Sequence, residues 1–77
     1  MFSIDELSKL FREVFEDDEI TLTFETTADD VDGWDSLSHV VLILFIENHL
    51  NINFSQKELL TFRNVGDLLL SINEKLK

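Results

Sequence analysis

The sequence predicts an all-α fold: an antiparallel four-helix bundle with a long first loop and a short third helix. Three observations carry this. Apolar residues recur at helical spacing in separate stretches of the chain. The one strand-like stretch, where Ile20, Leu22 and Phe24 alternate with Thr, has no second strand pattern to pair with, and a lone strand leaves its backbone groups unsatisfied. Finally, the chain has 77 residues and no Cys, so no disulfide or thiolate-bound metal can staple it. A helix bundle filled by its seven Phe is then the simplest stable solution. At this length a single domain, 1–77, is expected.

The first helix is expected at about 3–16. Ser3 and Glu6 have capping-box spacing. Ile4, Leu7, Leu10, Phe11, Val14 and Phe15 form one apolar stripe. The connection that follows, Asp17 to Asp35, is long for a compact domain, which points to a functional role or a short helical turn inside it. Its apolar residues Ile20, Leu22 and Phe24 are expected to pin it to the bundle.

The second helix is expected at about 36–50, with Asp35 as N-cap. At about 100° per residue, His39, Leu42, Ile43, Ile46 and Leu50 share one side, which is core. Leu37, Val41, Leu44 and Asn48 share the opposite side. That side is either buried too or an exposed apolar patch, and such patches mark partner sites. His49 is expected to meet the free carbonyls at the helix end. Ser55 and Glu58, again at capping-box spacing, open a third helix at about 55–62. Asn64 caps a fourth at about 65–76, with the stripe Val65, Leu68, Leu69, Ile72 and Leu76. Lys75 and Lys77 at its end suit the helix dipole.

The formal net charge is −10. Residues 1–35 hold twelve acids and two bases, whereas residues 36–77 hold four of each. The whole imbalance therefore precedes Ser36. Nucleic acid is excluded as a partner by charge repulsion, and an anionic membrane surface is disfavoured. The longest apolar run, Val40 to Ile46, has seven residues, against roughly 20 for a membrane span. No targeting segment is visible, so the cytoplasm is the expected compartment and a monomer the expected state.

Three stretches invite chemistry. Around Gly33 a calcium loop is tested by placing that glycine at position 6 of an EF-hand. Asp32 and Asp30 then fit, but Ala28 and His39 fall where the two end ligands belong. No dedicated metal site follows. Weak divalent binding is expected at Glu16, Asp17, Asp18 and Glu19, and at Asp29, Asp30 and Asp32. Ser36 and His39, one turn apart, resemble a nucleophile and base, but a chain this small offers little cleft for catalysis. Gly33-Trp34-Asp35-Ser36-Leu37 places a serine at a helix N-terminus. There, free N–H groups and the dipole favour an added phosphate by roughly 0.3–1 kcal/mol, and Asp35 can hold a bridging divalent ion.

The stretch Asp30-Val-Asp-Gly-Trp-Asp-Ser-Leu-Ser-His, an apolar helix after it, and Asn64-Val-Gly-Asp-Leu further on together resemble an acyl carrier protein. The likeness covers essentially the whole chain and is greatest to small stand-alone carriers with a Gly-Trp-Asp-Ser-Leu motif. It implies that the bundle is of acyl-carrier type and that the protein is no enzyme. Ser36 would receive 4′-phosphopantetheine from coenzyme A through a magnesium-dependent phosphopantetheinyl transferase, with Asp35 as a motif residue contacting the Mg ion during transfer. The arm's thiol would carry an acyl group as a thioester, supplied by a loading ligase or acyltransferase and used by a synthase. The second helix would be the docking surface, through Trp34, Leu37, Val40, Val41 and Leu44.

Some positions depart from the family. Fatty-acid carriers usually have acids two and five residues after the serine; here Ser38 and Val41 stand there. That implies partners docking by apolar contact, in a specialised pathway outside housekeeping fatty-acid synthesis. Phe45 stands where the family is usually small, which implies a reduced cavity. Two rival readings stay open: an aminoacyl or peptidyl carrier with the same attachment, and an unmodified acidic module that binds basic proteins.

Overall fold

The computed structural model describes residues 2–77. It contains α1 (Ile4–Phe15), α2 (Ser36–Leu50), α3 (Gln56–Leu59) and α4 (Val65–Leu76), with one 3₁₀ turn, Ala28–Asp30, inside the long loop. No strand forms among the described residues.

Each helix starts where its capping residue puts it. The Ser3 hydroxyl accepts the Glu6 N–H at 3.2 Å, and Asn64 accepts the Asp67 N–H at 2.9 Å. Ser55 and Glu58 form a complete reciprocal box. α1 ends on Glu16 and α2 on Asn51, both left-handed, with φ of 52° and 57°. Asn adopts that conformation readily; Glu does so at a cost of about 1–2 kcal/mol. After α2 the Glu47 carbonyl accepts the N–H groups of Asn51 and Ile52. His49 therefore does not fill the role expected of it. Its exposed ring stacks on Phe45 instead, at 6.1 Å and 13°.

The buried faces meet in one core. Leu7 and Phe11 of α1, Leu42 and Ile46 of α2, and Val65, Leu68 and Ile72 of α4 are its fully enclosed members. The long loop closes one side. Ile20, Leu22 and Val31 are buried, and the Arg12 guanidinium donates to the Ile20 carbonyl at 2.8 Å. Phe24 does not pin the loop as expected: its side chain is exposed, and its backbone does the docking. The Gly66 N–H donates to the Phe24 carbonyl at 2.9 Å, and the Val65 N–H to the Thr26 carbonyl at 2.8 Å. The loop thus satisfies N–H groups that the first turn of any helix leaves unpaired. Extended backbone at 20–24 presents carbonyls to a helix end, with no second strand needed.

That contact explains Gly66. A Cβ there would lie 2.9 Å from the Phe24 carbonyl oxygen and 3.3 Å from the Phe24 Cβ. In a free helix Gly→Ala gains about 1 kcal/mol, but here it pushes a hydrogen-bonded loop off α4. Gly66→Ala should therefore destabilise the protein by about 1–3 kcal/mol in urea unfolding. A stabilised variant would show that the loop moves aside freely.

α3 is shorter than expected, four residues against the anticipated span to Phe62. The Thr61 hydroxyl donates to the Glu58 carbonyl at 2.7 Å and its N–H to the same atom at 3.0 Å. This occupies the acceptor that Phe62 would need to continue an α-helix. Phe62 turns inward instead and meets Phe54 edge-on at 5.7 Å.

Glu58 ties this short helix to α4. Its carboxylate accepts from the Ser55 N–H, from Lys75 Nζ at 2.9 Å and from the Ser71 hydroxyl at 3.0 Å. These donors, the Ser55 N–H foremost, bring its pKa down to about 2 from an ordinary value near 4.5. A lowered carboxylate pKa stabilises the fold above the ordinary value and stops doing so as pH falls to the folded one. Glu58→Gln should thus lower the melting midpoint at neutral pH, and the gap to wild type should close between about pH 4.5 and 2. A gap that persists at pH 2 would assign the effect to packing.

Candidate functional site

The site is built from the turn into α2. Gly33 takes φ +85°, a left-handed conformation that a side chain would strain. Asp35 follows in extended backbone and caps α2: its Oδ1 accepts the N–H groups of Leu37 at 3.0 Å and Ser38 at 2.9 Å. Ser38 completes the lock. Its hydroxyl donates to the Gly33 carbonyl at 2.6 Å and accepts the Asp35 N–H at 2.7 Å. The position that departs from the family's acid is therefore the third-position partner of the capping box, a role open to a short hydroxyl. The Ser38 N–H chiefly, then its hydroxyl and the Leu37 N–H, lower the Asp35 pKa, so the cap stays ionised.

Ser36 is the first residue of α2 and is exposed. Among the described residues the hydrogen bonds of this turn run through Asp35 and Ser38 and leave the Ser36 hydroxyl out. The Ser36–His39 pairing does not form. The His39 ring faces Trp34, whose Nε1–H donates to His39 Nδ1 at 3.0 Å, and burial lowers its pKa. Nothing here is built as a nucleophile with its base.

A groove of about 500 Å³ opens beside Ser36, walled by Trp34, His39, Leu59, Phe62 and Leu68. Of these, Leu59 and Phe62 were not candidates from sequence, because a four-residue helix has no periodicity to read. Phe45 is not among the groove residues; it is half-buried, packs against the core and stacks on His49.

The exposed side of α2 is apolar. Leu37, Val40, Val41 and Leu44 are 77%, 55%, 52% and 53% exposed. Trp34 does not belong with them. It is half-buried, edge-on to Phe11 at 5.0 Å and stacked on His39 at 5.9 Å. It props the turn that leads into Ser36 and is not part of the open strip. The acidic clusters stay dispersed: no three potential ligands converge on a metal position among the described residues. Asp17 and Asp30 also spend carboxylate oxygens on the local N–H groups of Glu19 and Thr27.

The fold and site are thus a small helical bundle with an exposed serine, free of side-chain hydrogen bonds, at the start of α2. Comparison with solved structures agrees. The chain is similar to a holo acyl carrier protein from Geobacter metallireducens, solved by solution NMR, with 50% identity and a TM-score of 0.93. The match covers 99% of this chain and 87% of that one. No family model matches the chain, and a search of curated proteins gave no match either. At this identity and coverage, the chain belongs to the acyl carrier protein family, whose members are non-catalytic carriers. No helix among the described residues is long and apolar enough to cross a membrane.

Proposed function

We propose that this protein carries an acyl group as a thioester on 4′-phosphopantetheine joined to Ser36, in a specialised cytoplasmic pathway apart from housekeeping fatty-acid synthesis. The observation that carries the attachment is the exposed, unengaged Ser36 hydroxyl at the N-terminus of α2, flanked by a groove. The donor set fits the group. The hydroxyl can supply the ester oxygen of a phosphodiester, and the helix dipole favours the negative charge gained there. When bound, the arm supplies the reactive thiol that a chain without Cys lacks.

In the transfer, the Ser36 oxygen would take the phosphorylated end of the arm from coenzyme A as the pyrophosphate bond breaks; adenosine 3′,5′-bisphosphate would leave and the hydroxyl proton would pass to a base of the transferase. Asp35 holds the serine in place by capping α2 through Oδ1, and its carboxylate would be the group on this chain to contact the transferase's magnesium ion. Trp34, His39 and Phe62 wall the space next to the attachment point.

The specialised partner set rests on the α2 surface. Its first turn carries no acid. Glu47, the one acid on the helix, is held by the Phe54 N–H at 2.8 Å. Basic partners therefore find no carboxylate ladder beside Ser36, whereas an apolar partner finds Leu37, Val41 and Leu44. Val41→Glu in the holo protein should weaken binding to its cognate loading enzyme about tenfold, a loss of about 1.4 kcal/mol. Unchanged affinity would remove this face from the interface. Tighter binding of the wild-type chain to a housekeeping fatty-acid synthase enzyme than to any other acyl-transferring partner would overturn the specialised assignment.

A further inference from the structure

The Trp34–His39 pair does more than fill space. A neutral imidazole has one nitrogen that donates and one that accepts. His39 Nδ1 accepts the Trp34 indole N–H at 3.0 Å, so the proton of the neutral ring sits on Nε2. Stacking at 5.9 Å and 23° holds the ring plane, and the edge-on contact of Trp34 with Phe11 anchors the pair to the core. Nε2–H has no acceptor among the hydrogen bonds of the described residues. It is not enclosed either: no buried side-chain polar atom lacks a partner. His39 lines the same groove as Ser36, and residues three apart on a helix have Cβ atoms roughly 5–6 Å apart. An extension of Ser36 that enters the groove meets a wall that includes this ring. The other charged groups on the groove are Asp35, whose Oδ1 is occupied by its cap, and Arg63, whose side chain is 90% exposed with its Nε 3.9 Å from the Asp67 carboxylate. Phe62, Leu59 and Leu68 contribute only carbon.

We propose that Trp34 fixes the tautomer of His39 so that Nε2–H donates to a carbonyl oxygen of the group carried on Ser36, making the pair a positioning device for arm or cargo. This rests on the attachment at Ser36. The carbonyl belongs either to an amide of the arm or to the thioester, and the two differ in when the bond appears.

The test uses the full chain after loading with labelled coenzyme A. Intact mass first verifies attachment, so a failure to load is read separately. Imidazole-nitrogen NMR above pH 6.5 should then show His39 in the Nε2–H form with slowed exchange of that proton relative to the unloaded chain. Slowing in the free-thiol form assigns an arm amide; slowing only after acetyl loading assigns the thioester. His39→Gln, which keeps a donor near the Nε2 position, should retain cross-peaks from position 39 to the arm, whereas His39→Phe, which keeps the stack, should lose them. Trp34→Phe should give a tautomer mixture and weaker cross-peaks. Acidification that protonates His39 should release the Trp34 indole proton to solvent. An Nδ1–H tautomer in the wild type, or arm spectra identical in wild type and His39→Phe, would overturn the proposal.

Discussion

Phe11→Ala is expected to leave the protein largely unfolded in modest denaturant. Phe11 is fully buried and its ring meets Phe15 at 5.9 Å and Trp34 at 5.0 Å. Removing such a ring costs about 3–5 kcal/mol in transfer and cavity terms. A chain of 77 residues has a total stability of only about 4–12 kcal/mol, so a quarter or more of it would go. The effect should reach the site as well. Trp34 loses its edge-on partner, and with it the turn before Ser36 loses its prop. Urea unfolding followed by Trp34 fluorescence reads both at once, since the chain has one Trp. A stability loss under about 1 kcal/mol would mean that the α1 stripe collapses around the gap, contrary to a close-packed core.

The helices were legible because their signals are local. Ser3, Asp35, Ser55 and Asn64 cap where their spacing predicts. The angular split of α2 separated buried Leu42, Ile43 and Ile46 from exposed Leu37, Val41 and Leu44. What stayed hidden depends on distant partners. Nothing near Phe24 announces that its carbonyl meets Gly66, more than forty residues on. The glycine second in a predicted helix was the only available sign, since helices place glycine there only for a reason such as close approach. Trp34 beside an exposed serine reads as a docking aromatic until α1 is laid against it; Phe11 then claims its ring. The early end of α3 turns on one rotamer, the Thr61 hydroxyl on the Glu58 carbonyl. The groove is a product of three elements meeting and has no signature in any of them.

The charge imbalance also gains a position. The excess acids lie in α1 and the long loop, on exposed carboxylates around Glu16–Glu19 and Asp29–Asp32. α2, which begins at Ser36, exposes the apolar side chains of Leu37, Val40, Val41 and Leu44. The acidic and apolar surfaces are thus adjacent but separate. If partners dock on α2 as proposed, the loop would steer them over roughly a Debye length before they seat on the apolar strip.

The second large effect is expected at Ser36. The fold should not need this residue: it is exposed, and the helix start is held by Asp35 and Ser38. Ser36→Ala should therefore fold with nearly wild-type stability, because surface changes away from such features stay within about 0.5 kcal/mol, and should be wholly unable to accept the arm. The contrast between intact fold and lost attachment separates a carrier serine from a structural cap. The direct measurement is intact mass after incubation with coenzyme A, magnesium and a broad-specificity phosphopantetheinyl transferase. Wild type should gain the mass of one phosphopantetheine, and Ser36→Ala should gain none. A wild-type chain that gains no mass, or a Ser36→Ala chain that gains the same mass, would contradict the assignment of this protein as a carrier through Ser36.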